Sequence, residues 1–358
     1  MENSILFLPG DGIGPEVTNE AVKVLKAIEK TFNKKFNYDF GLLGGNAIEK
    51  TGVSLPPKTW KACQTHKVIF VGAVGDSKYD SNPVELRPEH GFKLIRTELE
   101  LYCNIRPVRL VPGLEKISPL KNEIASKGID ITIVRELTGG IYFGEKNRTK
   151  IVDGEKATDL MSYSSYEVER IGRIAFQLAQ KRRKILTSVD KANVLESSRL
   201  WREIMHNIKH DYPDVQYNDL YVDNAAMQII KSPNKFDVIV TENMFGDILS
   251  DEASILSGSL GLLPSVSFNP NTTSLYEPVH GSAPDIAGKD LANPIAAILS
   301  IAMMLRHTFD LEHESNIIQK AVENVLKKGY HTQDILGGGK VVGTKEMGDL
   351  ICSEILAE

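Results

Sequence analysis

Two aspartates stand four residues apart in the segment NMFGDILSDEAS, at Asp247 and Asp251. In a helix this spacing places both carboxylates on one face, one turn apart, where the like charges repel each other. A hard divalent cation with oxygen ligands would offset that repulsion. Asp223, at the end of an apolar run, supplies a third carboxylate if the fold brings it near. A solvated helix face is the alternative interpretation of the pair.

Three arginines, Arg96, Arg106 and Arg135, follow or flank apolar segments. A guanidinium group can bind a carboxylate through two parallel hydrogen bonds, so arginines in such positions suit the recognition of acidic groups. Each of them taken alone favours a surface ion pair over a binding role, and the residues by themselves leave both interpretations open.

Two further residues are candidates for proton transfer. Lys191 directly follows the strand-like run KILTSVD, where a partly buried ammonium near a metal could act as a base. Tyr142 stands in TGGIYFG, with glycines on either side, and is either a proton donor or a packed aromatic ring.

The opening segment LPGDGIGPEV places Gly10, Gly12 and Gly14 between a strand and a helix that begins near Pro15. Backbone without side chains can approach a ligand closely here. The spacing does not match the GxGxxG pattern of a Rossmann dinucleotide site, because Pro15 stands where the last glycine is needed. We therefore expect a tight strand-to-helix turn and no Rossmann fold.

A second small-residue loop lies in EPVHGSAPDIAGKDLANP. Its Gly-Ser-Ala turn would let a nucleotide approach the backbone. The carboxylate of Asp285 could bind a ribose diol and would repel a 2′-phosphate, which favours NAD over NADP. The alternative is a loop closed by an aspartate turn.

The composition is that of a globular protein. The chain has 358 residues, 42% of them hydrophobic, and a net charge of −5, so it has no basic excess for binding nucleic acid or an anionic membrane. Three scattered cysteines form no disulfide framework, which fits a reducing cytoplasm. The longest apolar stretch, 295–305, falls short of the roughly 20 residues that span a bilayer and predicts a buried helix.

Strand-like runs alternate with helical periodicity along the chain, for example ILFL at 5–8, VIFVGAV at 68–74 and FDVIVTEN at 236–243. This alternation predicts an α/β sheet. Residues 144–165 are polar and contain a DG turn, which predicts either a protruding hairpin or an ordinary surface loop.

Seven segments taken together resemble the β-hydroxyacid oxidative decarboxylases of the isocitrate/isopropylmalate dehydrogenase family. They are LPGDGIGPEV, NIRP, RELTGGIYFG, SVDKANVLESSRLWRE, DNAAMQ, TENMFGDILSDEAS and EPVHGSAPDIAG. The resemblance covers essentially the whole chain in order, and it makes the separate residue interpretations support one another.

The resemblance implies a two-domain α/β fold with a mixed sheet and no Rossmann unit. Its first, NAD-binding domain would comprise residues 1–101 plus 258–358, and its second 102–257. It also implies a homodimer with an interlocking arm at about 144–165 and active sites shared between subunits. Lys191 and Asp223 would come from one subunit, and Asp247, Asp251 and the arginines from the other.

The resemblance also assigns roles to individual residues. Tyr142 and Lys191 are the expected catalytic residues, and Mg²⁺ or Mn²⁺ is expected at Asp223, Asp247 and Asp251. The expected substrate-binding residues are Glu89, Phe92, Arg96, Arg106, Arg135 and Asp223. The expected NAD-binding residues are Gly75, Glu89, His280, Gly281, Ser282, Ala283, Pro284, Asp285, Ile286 and Asn293.

The expected reaction is the oxidative decarboxylation of 3-isopropylmalate to 2-ketoisocaproate with reduction of NAD, in leucine biosynthesis. Isocitrate enzymes carry a serine and an asparagine on the helix RPEHGFKLIR, and here His90 and Phe92 replace them. Isopropylmalate enzymes usually have two leucines where this chain has Phe92 and Lys93, and we expect Lys93 to pair with Glu89. Another 3-substituted malate, D-malate or homoisocitrate is the alternative substrate, and a non-catalytic regulatory subunit is an alternative of a different class.

A second departure lies in the segment near the nicotinamide end. Asp76 and Ser77 follow Gly75, where the family usually has Gly-Pro. The detailed shape of this loop is therefore not carried over from the resemblance.

Overall fold

A computed structural model describes residues 3–335 and 339–358. The chain divides into two compact units: unit 1 comprises Met1–Leu101, Val111–Pro119 and Ser257–Glu358, and unit 2 comprises Tyr102–Leu110 and Leu120–Leu256. The predicted boundaries differ from this division at residues 111–119 and at Ser257, which group with unit 1. A physical reason is that Ile117 lies directly against Gly258, where an added Cβ would come within 2.8 Å of its side chain and carbonyl oxygen.

The strands in chain order are β1 (Ser4–Gly10), β2 (Asn37–Phe40), β3 (Val68–Ala73), β4 (Cys103–Arg109), β5 (Asp130–Glu136), β6 (Lys146–Ile151), β7 (Gly154–Asp159), β8 (Ile185–Asp190), β9 (Gln216–Tyr221), β10 (Val238–Thr241), β11 (Pro264–Phe268), β12 (Ser274–Pro278), β13 (Tyr330–His331) and β14 (Lys340–Val341). The helices are α1 (Gly14–Phe32), α2 (Gly45–Thr51), α3 (Pro57–Thr65), α4 (Pro88–Glu98), α5 (Asn122–Ala125), α6 (Ser165–Gln180), α7 (Glu196–Ile208), α8 (Val222–Lys231), α9 (Asn243–Ile255), α10 (Ile295–His307), α11 (Glu312–Lys327) and α12 (Thr344–Leu356).

Unit 1 contains strands in the order β2-β1-β3-β12-β11. Strands β2, β1, β3 and β12 are parallel to one another, and β11 runs antiparallel to β12. Every residue of β3 is buried, which explains its continuous apolar run. Helix α1 packs an apolar face against β3 and ends where Asn33 adopts the left-handed conformation.

Unit 2 contains strands in the order β4-β5-β10-β8-β9. Strands β5, β10, β8 and β9 are parallel, and β4 pairs antiparallel with β5. Helix α6 begins with a capping box in which Ser164 and Glu167 satisfy each other's backbone N–H groups. The presence of both parallel and antiparallel pairs confirms the prediction of an α/β fold with a mixed sheet.

The polar segment at 144–165 contains a two-stranded antiparallel sheet, formed by β6 and β7. Its register runs from Lys146 opposite Asp159 to Ile151 opposite Gly154, and every residue of both strands is exposed. An isolated hairpin of this kind has little core of its own to stabilise it.

The apolar stretch at 295–305 lies in α10, and most of that helix is buried in unit 1. Among the residues that the structure describes, no helix is both long and apolar enough to cross a membrane.

Candidate active site

Four parallel strands of unit 2 deliver the candidate chemical groups to one edge of their sheet. Tyr142 follows β5, Lys191 follows β8 directly, Asp223 stands in the first turn of the helix after β9, and Asp247 lies on the helix after β10. Because the carboxyl ends of parallel strands share an edge, this is the part of an α/β sheet where ligands bind.

Asp247 and Asp251 converge on the guanidinium group of Arg106. The Nη1 of Arg106 donates to the Oδ1 of Asp251 at 3.1 Å, and its Nη2 lies 3.6 Å from the Oδ1 of Asp247. Ser250 Oγ and Asn104 Oδ1 accept further hydrogen bonds from the same guanidinium. The two carboxylates therefore lie on one helix face, as the spacing predicted, and Arg106 offsets their mutual repulsion.

Arg135 supplies a second guanidinium to this cluster. Its Nη1 is hydrogen-bonded to the Oδ1 of Asp247, and its Nε and Nη2 donate to the Oδ1 of Asn243 at 2.9 and 2.7 Å. The side chain is 5% exposed. A buried guanidinium needs such partners because an unpaired charge away from water is costly.

Tyr142 also contacts Asp247, because its hydroxyl donates to the Oδ2 of Asp247 at 3.1 Å. Partial burial, followed by the nearby Asp247 charge, raises the pKa of Tyr142 above its ordinary value. Burial likewise raises the pKa of Asp251, while Arg106 acts in the opposite direction. Tyr142 therefore holds its proton at neutral pH, which suits a proton donor.

Lys191 and Asp223 form a separate ion pair, between Nζ and Oδ1. This pair lowers the pKa of the Asp223 carboxyl. The backbone N–H of Lys191 donates to Ser198 Oγ at 3.1 Å, which fixes the chain at the end of β8. Within residues 3–335 and 339–358 no three acidic, histidine or cysteine side chains form a cluster able to hold a metal, so this single chain does not bring Asp223 to Asp247 and Asp251.

Asp11 organises the loops of unit 1 that the sequence associated with a nucleotide. Its buried carboxylate accepts hydrogen bonds from the backbone N–H groups of Gly45, Asn46 and Gly75, at 2.8, 2.8 and 3.0 Å. Burial raises the pKa of Asp11, and the three N–H donors act in the opposite direction. The neighbouring Ile13 N–H donates to the carbonyl of Ser282 at 2.8 Å. The turn between β1 and α1 therefore holds both the loop that contains Gly75 and the loop that contains Ser282.

Gly75, Glu89 and Ser282 meet at one place in unit 1. A Cβ on Gly75 would lie 3.1 Å from Glu89 Oε1 and 3.5 Å from Ser282 Oγ, and Gly75 has a φ of +133°. A Cβ on Gly12 would clash with the Ser282 carbonyl, whereas one on Gly281 would meet open space. Gly12 therefore permits close packing between the two loops, and Gly281 leaves its backbone open to a ligand.

The remaining residues expected to contact NAD lie along the same 279–294 segment. Ala283, Pro284 and Ile286 follow Ser282, with a hydrogen bond from Ile286 N to Ala283 O, and the Asp285 side chain is exposed. Asn293 is held by Asp334, which accepts from its Nδ2 at 3.0 Å. Burial lowers the pKa of His280, and its buried Nε2 has no hydrogen-bond partner within residues 3–335 and 339–358.

Helix α4 presents Glu89, Phe92, Lys93 and Arg96 at helical spacing along one side. The Nη2 of Arg96 donates to Glu277 Oε1 at 2.6 Å, and the Phe92 ring lies over the guanidinium at 4.0 Å. Among the residues that the structure describes, the buried Nε of Arg96 has no hydrogen-bond partner. The predicted pairing of Lys93 with Glu89 stays a prediction.

Asp76, which departs from the family pattern, has a local structural role. Its Oδ1 accepts a hydrogen bond from Lys78 N at 2.9 Å and so caps the short 3₁₀ turn Ser77–Tyr79. An Asp in this position is a normal capping residue and is compatible with an ordered loop.

Several residues that shape the site were missed by the sequence interpretation. They are Asp11, Asn243, Ser250, Glu277 and Asp334. Each acts by holding another residue: the shortest separation along the chain is 3 positions, from Ser250 Oγ to the Asp247 carbonyl oxygen, and the longest is 181, from Glu277 to Arg96. Only Ser250 and Asp247 are close enough in sequence, three positions apart in one helix, for the spacing to indicate their contact. The other contacts join distant segments, and sequence periodicity does not indicate them.

The fold and this arrangement are consistent with a decarboxylating dehydrogenase, and comparison with known proteins shows the family. The family model described as isocitrate/isopropylmalate dehydrogenase matches residues 4–351, and the chain belongs to that family. It is 57% identical to the 3-isopropylmalate dehydrogenase of Carboxydothermus hydrogenoformans, covering 98% of this chain and 94% of that one. It is 54% identical to the 3-isopropylmalate dehydrogenase of Priestia megaterium, covering 99% and 96%.

Among solved structures, the chain is similar to isocitrate dehydrogenase from Methylococcus capsulatus. The TM-score is 0.88 at 35% identity, with 99% of each chain covered. The fold is therefore shared by enzymes named for different substrates, and substrate choice must be argued from the site itself.

We predict that Asp11→Asn lowers the free energy of unfolding by about 1–3 kcal/mol, because an amide has one acceptor oxygen and cannot receive all three backbone N–H groups. Urea unfolding measures this change. Asp76→Asn is the matched control: it removes one carboxylate charge from the loop after β3 that contains Gly75, but asparagine still caps the turn, so the expected change is within about 0.5 kcal/mol. Equal stability of Asp11→Asn and the parent protein would refute the organising role of Asp11.

Proposed function

We propose that this chain catalyses the NAD-linked oxidative decarboxylation of 3-isopropylmalate to 2-ketoisocaproate, the reaction of leucine biosynthesis. The observation that carries the proposal is the convergence of Arg106, Arg135 and Tyr142 on Asp247 and Asp251. That cluster combines groups for binding carboxylates, for holding a cation and for donating a proton. The names of the relatives support the same reaction.

The acidic residues fit a divalent cation. Asp247 and Asp251 offer hard oxygen ligands within reach of one guanidinium, and we assign Mg²⁺ or Mn²⁺ to them together with Asp223. A bound cation would supply Lewis-acid stabilisation of the negative charge that develops on the substrate oxygens.

The loops of unit 1 fit NAD. Gly281 leaves the backbone uncovered, and the exposed carboxylate of Asp285 is available to a ribose diol. We assign NAD to Gly75, Glu89 and the segment from His280 to Ile286 together with Asn293. Bound NAD would accept the hydride that leaves C2 of the substrate.

The chain's own residues then divide the remaining work. Arg96, Arg106 and Arg135 bind the substrate carboxylates. Lys191 takes the proton of the C2 hydroxyl as that carbon is oxidised to a carbonyl. When the C3 carboxylate leaves as CO₂, its bonding electrons remain on C3 and the C2 oxygen, and Tyr142 donates a proton to C3.

The α4 residues favour an apolar substituent on the substrate. The Phe92 ring is partly buried against the unit 1 core, whereas the Lys93 side chain is exposed, so Lys93 can keep its ammonium in water. A malate with a polar or second acidic substituent is the competing substrate, since Lys93 stands on the same helix side.

We also assign the reaction to the cytoplasm, because all three cysteines are free and buried.

The substrate assignment is tested by NADH formation with purified protein, NAD and Mg²⁺. We predict that kcat/KM for 3-isopropylmalate exceeds that for isocitrate, homoisocitrate and D-malate by at least roughly tenfold, because a missing isopropyl group or an added charge is discriminated by a few kcal/mol. Preference for another acid would support the proposed oxidative decarboxylation and reject 3-isopropylmalate as the substrate. Absence of turnover with all four would reject the function.

We predict that Lys191→Met lowers kcat by at least about 100-fold, because the hydroxyl loses its proton acceptor, and leaves NAD affinity unchanged. Stopped-flow kinetics and calorimetric titration with NAD measure the two quantities. The control is Lys61→Met, the same substitution at an exposed lysine of α3, which should retain full activity. Normal turnover by Lys191→Met would remove Lys191 from the mechanism.

We further propose that two copies of this chain form a homodimer through α8 and α9. These two helices contact each other within unit 2 and expose Met227 and Ile230 on α8, and Ile248 and Ile255 on α9. Exposed apolar side chains clustered on neighbouring helices are typical of an interface. The patch adjoins Asp247 and Asp251, so a second copy docked there could supply its Asp223 and Lys191 as the missing ligand and base.

We predict that the double variant Met227→Glu/Ile230→Glu is monomeric at micromolar concentration, because two buried charges oppose association. Analytical ultracentrifugation measures its mass, with Leu356→Glu as a control at an exposed leucine of α12.

Sharing of the site is tested separately: co-expressed Lys191→Met and Asp247→Asn chains should regain activity, because each mixed dimer contains one intact site. No recovery in verified mixed dimers would contradict the shared site.

A further inference from the structure

Asn243 is a fully buried side chain whose hydrogen-bonding capacity is completely used. Its Oδ1 accepts from Nε and Nη2 of Arg135, at 2.9 and 2.7 Å. Its Nδ2 donates to the carbonyl oxygens of Leu137 and Gly139, at 3.1 and 2.9 Å. One amide thus joins a guanidinium to a backbone turn.

That turn leads directly to Tyr142. Residues 137–139 precede the 3₁₀ helix Gly140–Tyr142, and the turn is also held from its N–H side, where Glu136 Oε2 accepts from Gly139 N at 2.7 Å. Gly140 has a φ of +72° and lies against the Tyr163 ring, which leaves no room for a side chain there. The Tyr142 side chain is itself partly exposed, so its position depends on this backbone together with the hydrogen bond from its hydroxyl to Asp247.

Asn243 is in turn fixed by its own element. It is the first residue of α9, and its backbone N–H donates to Tyr163 Oη at 2.9 Å. The Tyr163 hydroxyl donates to Glu242 Oε2 at 3.1 Å, and the Glu242 carboxylate caps α9 by accepting from Met244 N and Phe245 N. The backbone of Asn243 is therefore fixed by Tyr163 and by the cap of α9, while its side-chain amide binds Arg135 and the turn.

We infer that Asn243 is a positioning residue that sets the carboxylate-binding guanidinium of Arg135 and the proton donor Tyr142 in a fixed relation to each other. The inference rests on the proposed function for the roles of these two groups. Asp247 links the Arg135 guanidinium to the Tyr142 hydroxyl, and Asn243 adds a second link, from the same guanidinium to the backbone turn that carries Tyr142. Small displacements of reacting groups cost large factors in rate.

The two halves of the amide can be separated by substitution. In Asn243→Asp an oxygen still accepts from Arg135, but the group that donated to Leu137 O and Gly139 O becomes an acceptor and repels them. In Asn243→Ser both connections are lost. The inference therefore expects Asn243→Asp to disturb Tyr142 selectively and Asn243→Ser to disturb both residues.

The kinetic test compares kcat and KM for the preferred acid. We predict that Asn243→Asp lowers kcat by at least roughly tenfold and changes KM by less than about threefold, since a general acid contributes 10² to 10⁴ in rate. Asn243→Ser should lower kcat and also raise KM. In a Tyr142→Phe background, Asn243→Asp should lower kcat by less than about twofold, because the group it positions is already absent.

Asn104→Asp is the matched control. Asn104 is also fully buried, and its Oδ1 accepts from Nε of Arg106 at 3.0 Å, so the substitution adds the same charge beside the other guanidinium. Its effect on kcat should be the same with Tyr142 or Phe at position 142. Equal effects of Asn243→Asp in the two backgrounds would overturn the inference, because they would indicate a general loss of structure or an electrostatic effect only.

A readout independent of turnover separates this inference from the proposed function. In protein labelled with ¹³C at the tyrosine Cζ, the resonance absent from Tyr142→Phe identifies Tyr142. At fixed pH we expect Asn243→Asp to shift or broaden that resonance and Asn104→Asp to leave it in place. An unmoved Tyr142 resonance in Asn243→Asp overturns the inference. A moved resonance in a protein with no activity on any of the four acids supports the coupling and rejects the proposed function.

Discussion

The chemistry of unit 2 depends on how charge is balanced around Asp247. This carboxylate interacts with Arg106, Arg135 and Tyr142, and it shares a helix face with Asp251. Both guanidinium groups are almost completely buried, so removing Asp247 would take from Arg135 its carboxylate partner and leave Arg106 with Asp251 as its remaining one. The requirement for neutrality therefore brings together the groups that the proposed reaction needs: binders of an anion, ligands of a cation and a proton donor.

The backbone serves the same requirement. Parallel strands β5, β8, β9 and β10 end at one edge, so Tyr142, Lys191, Asp223 and Asp247 are placed there by topology before any side chain is oriented. Asn243 and Glu136 then hold the turn before Tyr142 through its carbonyl and N–H groups. Buried polar groups that are fully paired in this way also make the local structure rigid and unique.

In unit 1 a buried polar side chain likewise holds backbone segments together. The loops proposed to bind NAD are held by a buried carboxylate, Asp11, which accepts hydrogen bonds from the backbone N–H groups of residues 45, 46 and 75. The adjacent Gly12 lets the first loop approach Ser282 closely enough for the hydrogen bond from Ile13. Glycine supplies the accessible backbone, and Asp11 limits the freedom that glycine would otherwise leave.

The sequence by itself determined the features that depend on local pattern. Helical spacing placed Asp247 and Asp251 on one face, alternating apolar runs gave an α/β fold, and the failed GxGxxG spacing at Pro15 argued against a Rossmann site. The tertiary structure decided which distant residues meet: Arg106 with Asp251, Arg96 with Glu277, and Asn243 with both Arg135 and the turn before Tyr142. The reason is physical, since periodicity encodes which side of an element a residue occupies, whereas a buried hydrogen bond between segments more than 100 residues apart is fixed only when the sheet and its helices have packed.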